Sequence, residues 1–164
     1  MRYSRGGEML IPGEPADPIQ IIDCRDMVAW MMSLVEMRTN GIYNAVSPVG
    51  LFTMNDLVEG CRRTLPRADT RITFVPEEFL AKHWTKDELD VPPWAPMKGE
   101  EPGFSLTSGE RARQTGLAIR PIHESVRDTY EWFRTLPAER QANLRAGIKP
   151  DREAYALQKW HEAG

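Results

Sequence analysis

Between residues 19 and 83 short apolar runs alternate with stretches of helical period, and this alternation constrains the fold more than any other feature. Ile19–Ile22, Gly41–Val46 and Arg71–Val75 read as strands, the last rich in β-formers. Between the first two, Met27, Trp30, Met31 and Leu34 follow the i, i+3, i+4, i+7 spacing of a helix face. Val28, Met32 and Val35 widen that stripe, so the sequence predicts a helix buried on much of its circumference. Asp23 or Asp26 supplies the carboxylate that first-turn N–H groups need. Thr53 is placed to cap a second helix over Met54–Thr64, and Pro76 opens a short third one. Strand–helix–strand–helix–strand order predicts an α/β unit with a small, partly parallel sheet.

The flanking segments differ in character. Residues 1–18 are rich in Gly and Pro and read as an extended lead-in with turns. Residues 84–103 hold Pro92, Pro93, Pro96 and Pro102 around Trp84, Trp94 and Met97. Prolines exclude a regular ladder there. Two readings stand for this segment: a loop covering a pocket, or an irregular stretch whose tryptophans plug the core. Residues 104–164 read as helical, with starts at Ser108, Pro121, Pro137 and Pro150 and a stop at Gly116. The whole is expected to form a single domain: lead-in 1–18, α/β unit 19–83, Pro/Trp-rich loop 84–103 and helical part 104–164.

Composition narrows the function classes. With 164 residues and 41% apolar content the chain has enough apolar surface for one core. A net charge of −3, with no basic block, gives no support for binding nucleic acid or an anionic membrane. The longest apolar stretch, around Met27–Val35, falls well short of a bilayer span of ~20 residues. Cys24 and Cys61 are too few for a disulfide scaffold; they suit a reducing cytoplasm and read as small buried apolar side chains.

Motifs for chemistry are sparse. No two of the 12 glycines are separated by two or three positions, so G-x-G-x-x-G, G-x-x-G and the P-loop are absent from the sequence. No histidine or cysteine pair has metal-ligand spacing, and no G-x-S-x-G elbow occurs. Tyr155 and Lys159 match Tyr-x-x-x-Lys, but on a terminal helix they read as an inward-packing Tyr and a solvated Lys. No catalytic, cofactor-binding or metal-ligating residue is therefore assigned. Polar residues in or after the strands are better placed for a small ligand: Gln20, Asp23, Arg25, Asn44 and Ser47, with Trp94 in the loop and Arg111 and Arg120 on either side of Gly116.

Three segments carry a family likeness: Pro18-Ile-Gln-Ile-Ile-Asp-Cys-Arg-Asp-Met-Val-Ala29, Gly41-Ile-Tyr-Asn-Ala-Val-Ser-Pro48, and Arg111-Ala through Arg120-Pro-Ile-His-Glu-Ser-Val-Arg-Asp-Thr-Tyr-Glu-Trp132. In that order they resemble the C-terminal, substrate-side part of extended short-chain dehydrogenase/reductases, the NAD-dependent epimerase/dehydratase family. The resemblance implies a chain lacking the Rossmann half, which in that family binds NAD or NADP and carries the catalytic Ser/Thr, Tyr and Lys. On this reading the chain begins after those elements, as a truncation, a split-gene product or a natural stand-alone protein. It holds no cofactor itself, and its expected partners are a small-molecule substrate and a Rossmann-domain polypeptide or a second copy. Nucleotide-sugar epimerases of the family place an Arg seven residues before the Asp equivalent to Asp26; here that position is Ile19. The closer likeness is to reductase-type members. The alternatives are a free-standing small-molecule-binding or interaction module, and an independent enzyme using its own residues.

Overall fold

The structure, a computed structural model, describes residues 1–65, 69–84, 93–98, 103–144 and 146–164. It is mixed α/β, with seven α-helices and two separate two-stranded sheets among the described residues. The larger sheet is parallel, as the alternation implies, but its strands are not the expected ones. β1 (Gly7–Pro12) lies inside the Gly/Pro-rich lead-in and pairs with β4 (Thr70–Val75), in the register Gly7↔Thr70 to Pro12↔Val75. Gly7 (φ 72°) and Gly13 (φ 75°) bracket the run, so the glycines that resemble loop punctuation in sequence serve as its end turns. Parallel partners need a long crossover, and here it contains β2 (Pro18–Ile19), α1 (Cys24–Glu36), β3 (Phe52–Thr53) and α2 (Met54–Thr64). β2 and β3 pair antiparallel through Pro18↔Thr53 and Ile19↔Phe52.

The strand expected over Ile19–Ile22 thus survives only at Ile19. Gly41–Val46 is extended but belongs to no ladder. Its exposure still alternates with the period of a strand: Ile42 and Asn44 point to solvent, while Tyr43 and Ala45 pack inward beside Trp30. No backbone–backbone hydrogen bond involves residues 41–46 among the described residues.

The helices start where capping chemistry places them. Asp23 caps α1 by accepting from the Arg25 N–H at 2.9 Å. Thr53 and Asp56 form a reciprocal capping box on α2. Pro76, Pro121 and Pro137 stand at the N-cap of α3 (Glu77–His83), α5 (Ile122–Arg134) and α6 (Ala138–Ala142), and Pro150 opens α7 (Pro150–Ala163). α4 (Glu110–Gln114) is a single turn ended by Gly116 at φ 97°.

Two helices meet closely at Gly60. A Cβ there would stand 3.4 Å from Val126 Cγ2, so α2 seats directly on α5. The central core holds Ile11, Ile19, Phe52, Met54, Val58 and Ile122, together with Trp94. A second core, with Leu10, Val75, Leu80 and Trp84, lies under Ala156 and Leu157 of α7. Trp84 and Trp94 are each about 95% buried, so both tryptophans plug the core. Pro92, Glu100, Glu101 and Pro102 of the same segment lie outside the described residues. Tyr155, expected to pack inward, is 41% exposed.

α1 departs most from expectation. Trp30 is its buried residue, resting on Tyr43, Ala45, Leu117 and Ala112. Val28, Met31, Met32 and Val35 have the i, i+3, i+4, i+7 spacing of a face, and each is 50 to 70% exposed. Cys24, expected buried, is exposed at the start of the same helix. The sequence supplies apolar residues around the helix, but the described residues cover one side of it.

Candidate functional site

A cavity of about 760 Å³ opens at the N-terminal end of α1, between α2 and α5. Phe52, Leu57, Ile122 and Val126 contribute an apolar floor, and Asp23, Arg25, Arg120, Ser125, Asp128 and Tyr130 a polar wall. The wall is built by two helix starts brought face to face. The start of α1 provides Asp23 and Arg25, with Asp26 outside the lining holding Arg120; the approach to α5 and its first turns provide Arg120, Ser125 and Asp128.

These groups form one network. Arg25 straddles Asp23, with Nε to Oδ1 at 2.9 Å and Nη2 to Oδ2 at 2.7 Å. Its Nη1 reaches Asp128 at 2.6 Å. Ser125 Oγ donates to Asp23 at 2.6 Å. Arg120 is held by Asp26: its peptide N–H donates to Oδ2 at 2.9 Å, and its Nε and Nη2 to Oδ1 at 2.8 and 2.6 Å. Arg127 Nε adds a contact of 2.7 Å to Asp128. Three guanidiniums thus face three carboxylates.

The electrostatic consequence is uniform. The Arg25 guanidinium, helped by the Ser125 hydroxyl, holds Asp23 well below the usual carboxylate range. Arg120 lowers Asp26, and Arg127 with Arg25 lowers Asp128 to about 2. Near neutral pH all three acids are ionised and paired, which makes them poor general bases or acids. Burial pushes the Cys61 thiol up, away from the thiolate form that would make it reactive. The wall is suited to orienting a neutral polar ligand over an apolar floor.

The sequence-derived candidates separate into three places. Asp23, Arg25 and Arg120 come together on this wall. Gln20, Asn44 and Arg111 gather around the 104–109 turn instead. Gln20 Nε2 donates to the carbonyls of Ser47 and Thr107 at 2.8 and 2.7 Å, while its Oε1 accepts from the Thr107 N–H at 2.9 Å. Asn44 Nδ2 donates to the Ser108 carbonyl at 3.0 Å, and Arg111 lies over the Tyr43 ring at 5.3 Å. Ser47 is fully buried, its Oγ accepting from the Ile21 N–H at 3.2 Å. Trp94 stands apart: its indole N–H donates to Asp17 at 2.8 Å, close against Gly13.

No family model, curated protein or solved structure matches this chain. Its site is therefore read from geometry.

Ser125, Asp128 and Tyr130 are wall residues that the sequence did not single out. A signal for them exists in the spacing: Ser125, Asp128 and Trp132 fall at i, i+3 and i+7 of α5. Tyr155 and Lys159 lie elsewhere. Lys159 pairs with Glu162 at 2.6 Å, and its Nζ is 6.0 Å from the Tyr155 ring.

Proposed function

We propose that this chain is the substrate-binding portion of an NAD(P)-dependent epimerase/dehydratase- or reductase-type enzyme. On this reading it performs no hydride transfer by itself and closes a small-molecule site against a cofactor-binding Rossmann polypeptide. NAD or NADP belongs to that polypeptide, and this chain supplies the cavity wall of Asp23, Arg25, Arg120, Ser125 and Asp128.

The observation that carries the reading is an extended segment without a ladder beside an uncovered helix face. Residues 41–46 are extended, alternate in exposure like a strand and lack any ladder partner among the described residues. Nearby, α1 leaves Val28, Met31, Met32 and Val35 uncovered. Contiguous apolar exposure of this kind marks an interaction surface, and an extended segment without a ladder offers a place for a strand to add. The likeness of the three sequence segments gains support from their meeting in space. Asp26 and Arg120 tie the first segment to the third, and Trp30, the residue following the first segment, meets Tyr43 of the second edge-on, with ring centroids 5.3 Å apart.

Calorimetric titration of the chain with NADH tests the proposal: no saturable heat is expected, and micromolar binding would overturn it. Sedimentation adds a second test. A chain with an uncovered helix face self-associates as concentration rises; a strict monomer favours the free-standing binding module.

A further inference from the structure

The exposed stripe of α1 has the same residue order in both directions. Val28, Met31, Met32 and Val35 are symmetric about the point between the two methionines. At 3.6 residues per turn the four fall within one stripe roughly 100° wide, the valines along its middle and a methionine at each margin. Trp30 and Leu34 point away from it, into the packed side.

A patch that joins two identical copies about a twofold axis must be complementary to itself. An antiparallel pair of α1 helices, with the axis between Met31 and Met32, meets that condition. Val28 of each copy then stands level with Val35 of the other, and the methionines gather around the axis. A single helix pair buries less than the roughly 800 Å² per partner of standard interfaces, which places such a dimer in the weak, reversible class.

The charges at the helix ends fit the same orientation. Glu36 lies in the last turn of α1, where the helix dipole disfavours a carboxylate, and that turn holds no basic residue. Its side chain is exposed and has no partner among the described residues. In the antiparallel pair Glu36 comes beside the first turn of the other helix, the end whose dipole attracts a carboxylate. Arg25 stands there, its side chain 45% exposed. By helical geometry it is on the same margin of the stripe as Glu36 and within about 3 Å of level with it along the axis. A parallel pair would leave Glu36 beside a second C-terminal turn instead.

We propose that two copies of this chain pair through α1, antiparallel about a twofold axis between Met31 and Met32. The proposal rests on the reading above that this side of the molecule is an interface. It assigns the helix face to a second copy and leaves the open backbone of 41–46 to the cofactor-binding partner.

The test is disulfide trapping of the full chain. A Cys24→Ser background removes the exposed native thiol, and single cysteines are then introduced along the stripe and mildly oxidised. Met31→Cys, next to the axis, should cross-link to itself. Val28→Cys and Val35→Cys each lie about 10 Å along the axis from their own counterparts, too far for a disulfide. Each alone should trap about tenfold less than an equimolar mixture of the two. Sedimentation velocity of the unaltered chain should show assembly that stops at two copies. Glu36→Gln should weaken it about two- to fivefold per contact. Strong self-trapping of Val28→Cys, assembly past two copies, an unchanged Glu36→Gln variant or a strict monomer would each overturn the pair. Assembly with the wrong trapping pattern leaves the enzyme reading standing. Micromolar NADH binding removes that reading and leaves the trapping pattern as it was.

Discussion

Among the described residues, the outer edge of β1 and the extended segment 41–46 both lack a neighbouring strand, and they are treated in opposite ways. β1 pairs with β4 on one side only. On its other side Arg2 donates to the Glu8 carbonyl and Glu153 accepts from the Leu10 N–H. Glu8 and Leu10 are alternate residues whose peptide groups face the same way, so this ion pair imitates an adjacent strand and α7 seals it. The extended segment 41–46 has no such device. Its side chains pack on Trp30 at one face, and its peptide groups have no backbone partner among the described residues. A protected edge belongs to the finished part of a fold, and open edges are where other strands add. On the function proposed above, the contrast separates the half of this chain that is complete in itself from the half that offers an interface.

The largest expected effect comes from breaking the protected edge. Glu153→Ala leaves the Leu10 N–H and the Arg2 guanidinium without their carboxylate in a buried position. Loss of one member of a buried pair costs about 3–5 kcal/mol, and the partial exposure of Arg2 places this variant near ~3 kcal/mol. Urea unfolding measures it. A loss below ~1 kcal/mol would mean that water replaces the carboxylate and that the edge is not closed by this pair.

The cavity wall responds to pH with a defined sign. Asp23 and Asp26 are lowered from their ordinary value of 3.8 by Arg25 and Arg120. A carboxylate depressed in the folded state contributes stability that is fully present above its unfolded pKa. That stability is lost as pH falls below about 4 toward the folded value. Stability should therefore drop between pH 5 and 2, and Asp23→Asn with Asp26→Asn should flatten this acid limb. Unfolding curves at several pH values decide it; an unchanged limb in the double variant would assign the acid sensitivity to other carboxylates, such as Glu8.

What was legible in the sequence follows a physical division. Local chemistry was readable: an Asp23 or Asp26 cap, the Thr53 cap, the proline starts, the Gly116 stop and the β-rich run at 71–75 each act within a few residues. Pairing was not, because it depends on residues far apart. Met9-Leu10-Ile11 is a short apolar run between glycines, and only β4, more than fifty positions on, makes it a strand. Gly41–Val46 is extended, but the strand its sequence predicts does not form among the described residues, because extension does not specify a partner. The same holds for the cavity wall. Asp23, Arg25 and Arg120 were visible as polar residues near strand ends, but their pairing with Ser125, Asp128 and Asp26 spans about a hundred positions. The apolar stripe on α1 was legible as a stripe; whether anything covers it is not encoded in its own spacing.

That stripe gives the next way to sharpen the contrast. Val28→Lys with Val35→Lys places charge on an uncovered face, so folding stability should change little, within about 0.5 kcal/mol each. Self-association should fall sharply, as read by sedimentation velocity. If the double variant unfolds instead, the face is buried in the chain's own native state and the open half is an incorrect description.

The smallest expected effect is at the open segment itself. Ile42 is 87% exposed. Ile42→Lys removes no contact of the isolated chain and should leave its stability within about 0.5 kcal/mol of the original. Hydrogen exchange provides the matching comparison at the backbone. The Leu10 amide, held by Glu153, should exchange near the rate set by global unfolding, whereas the amides of residues 41–46 should exchange orders of magnitude faster. When a sheet-bearing partner docks, only the second set has room to gain protection, because the first is already paired. Protection at 41–46 in the isolated, dilute chain would show that these amides have acceptors within the monomer, and the two edges would then differ in exposure alone.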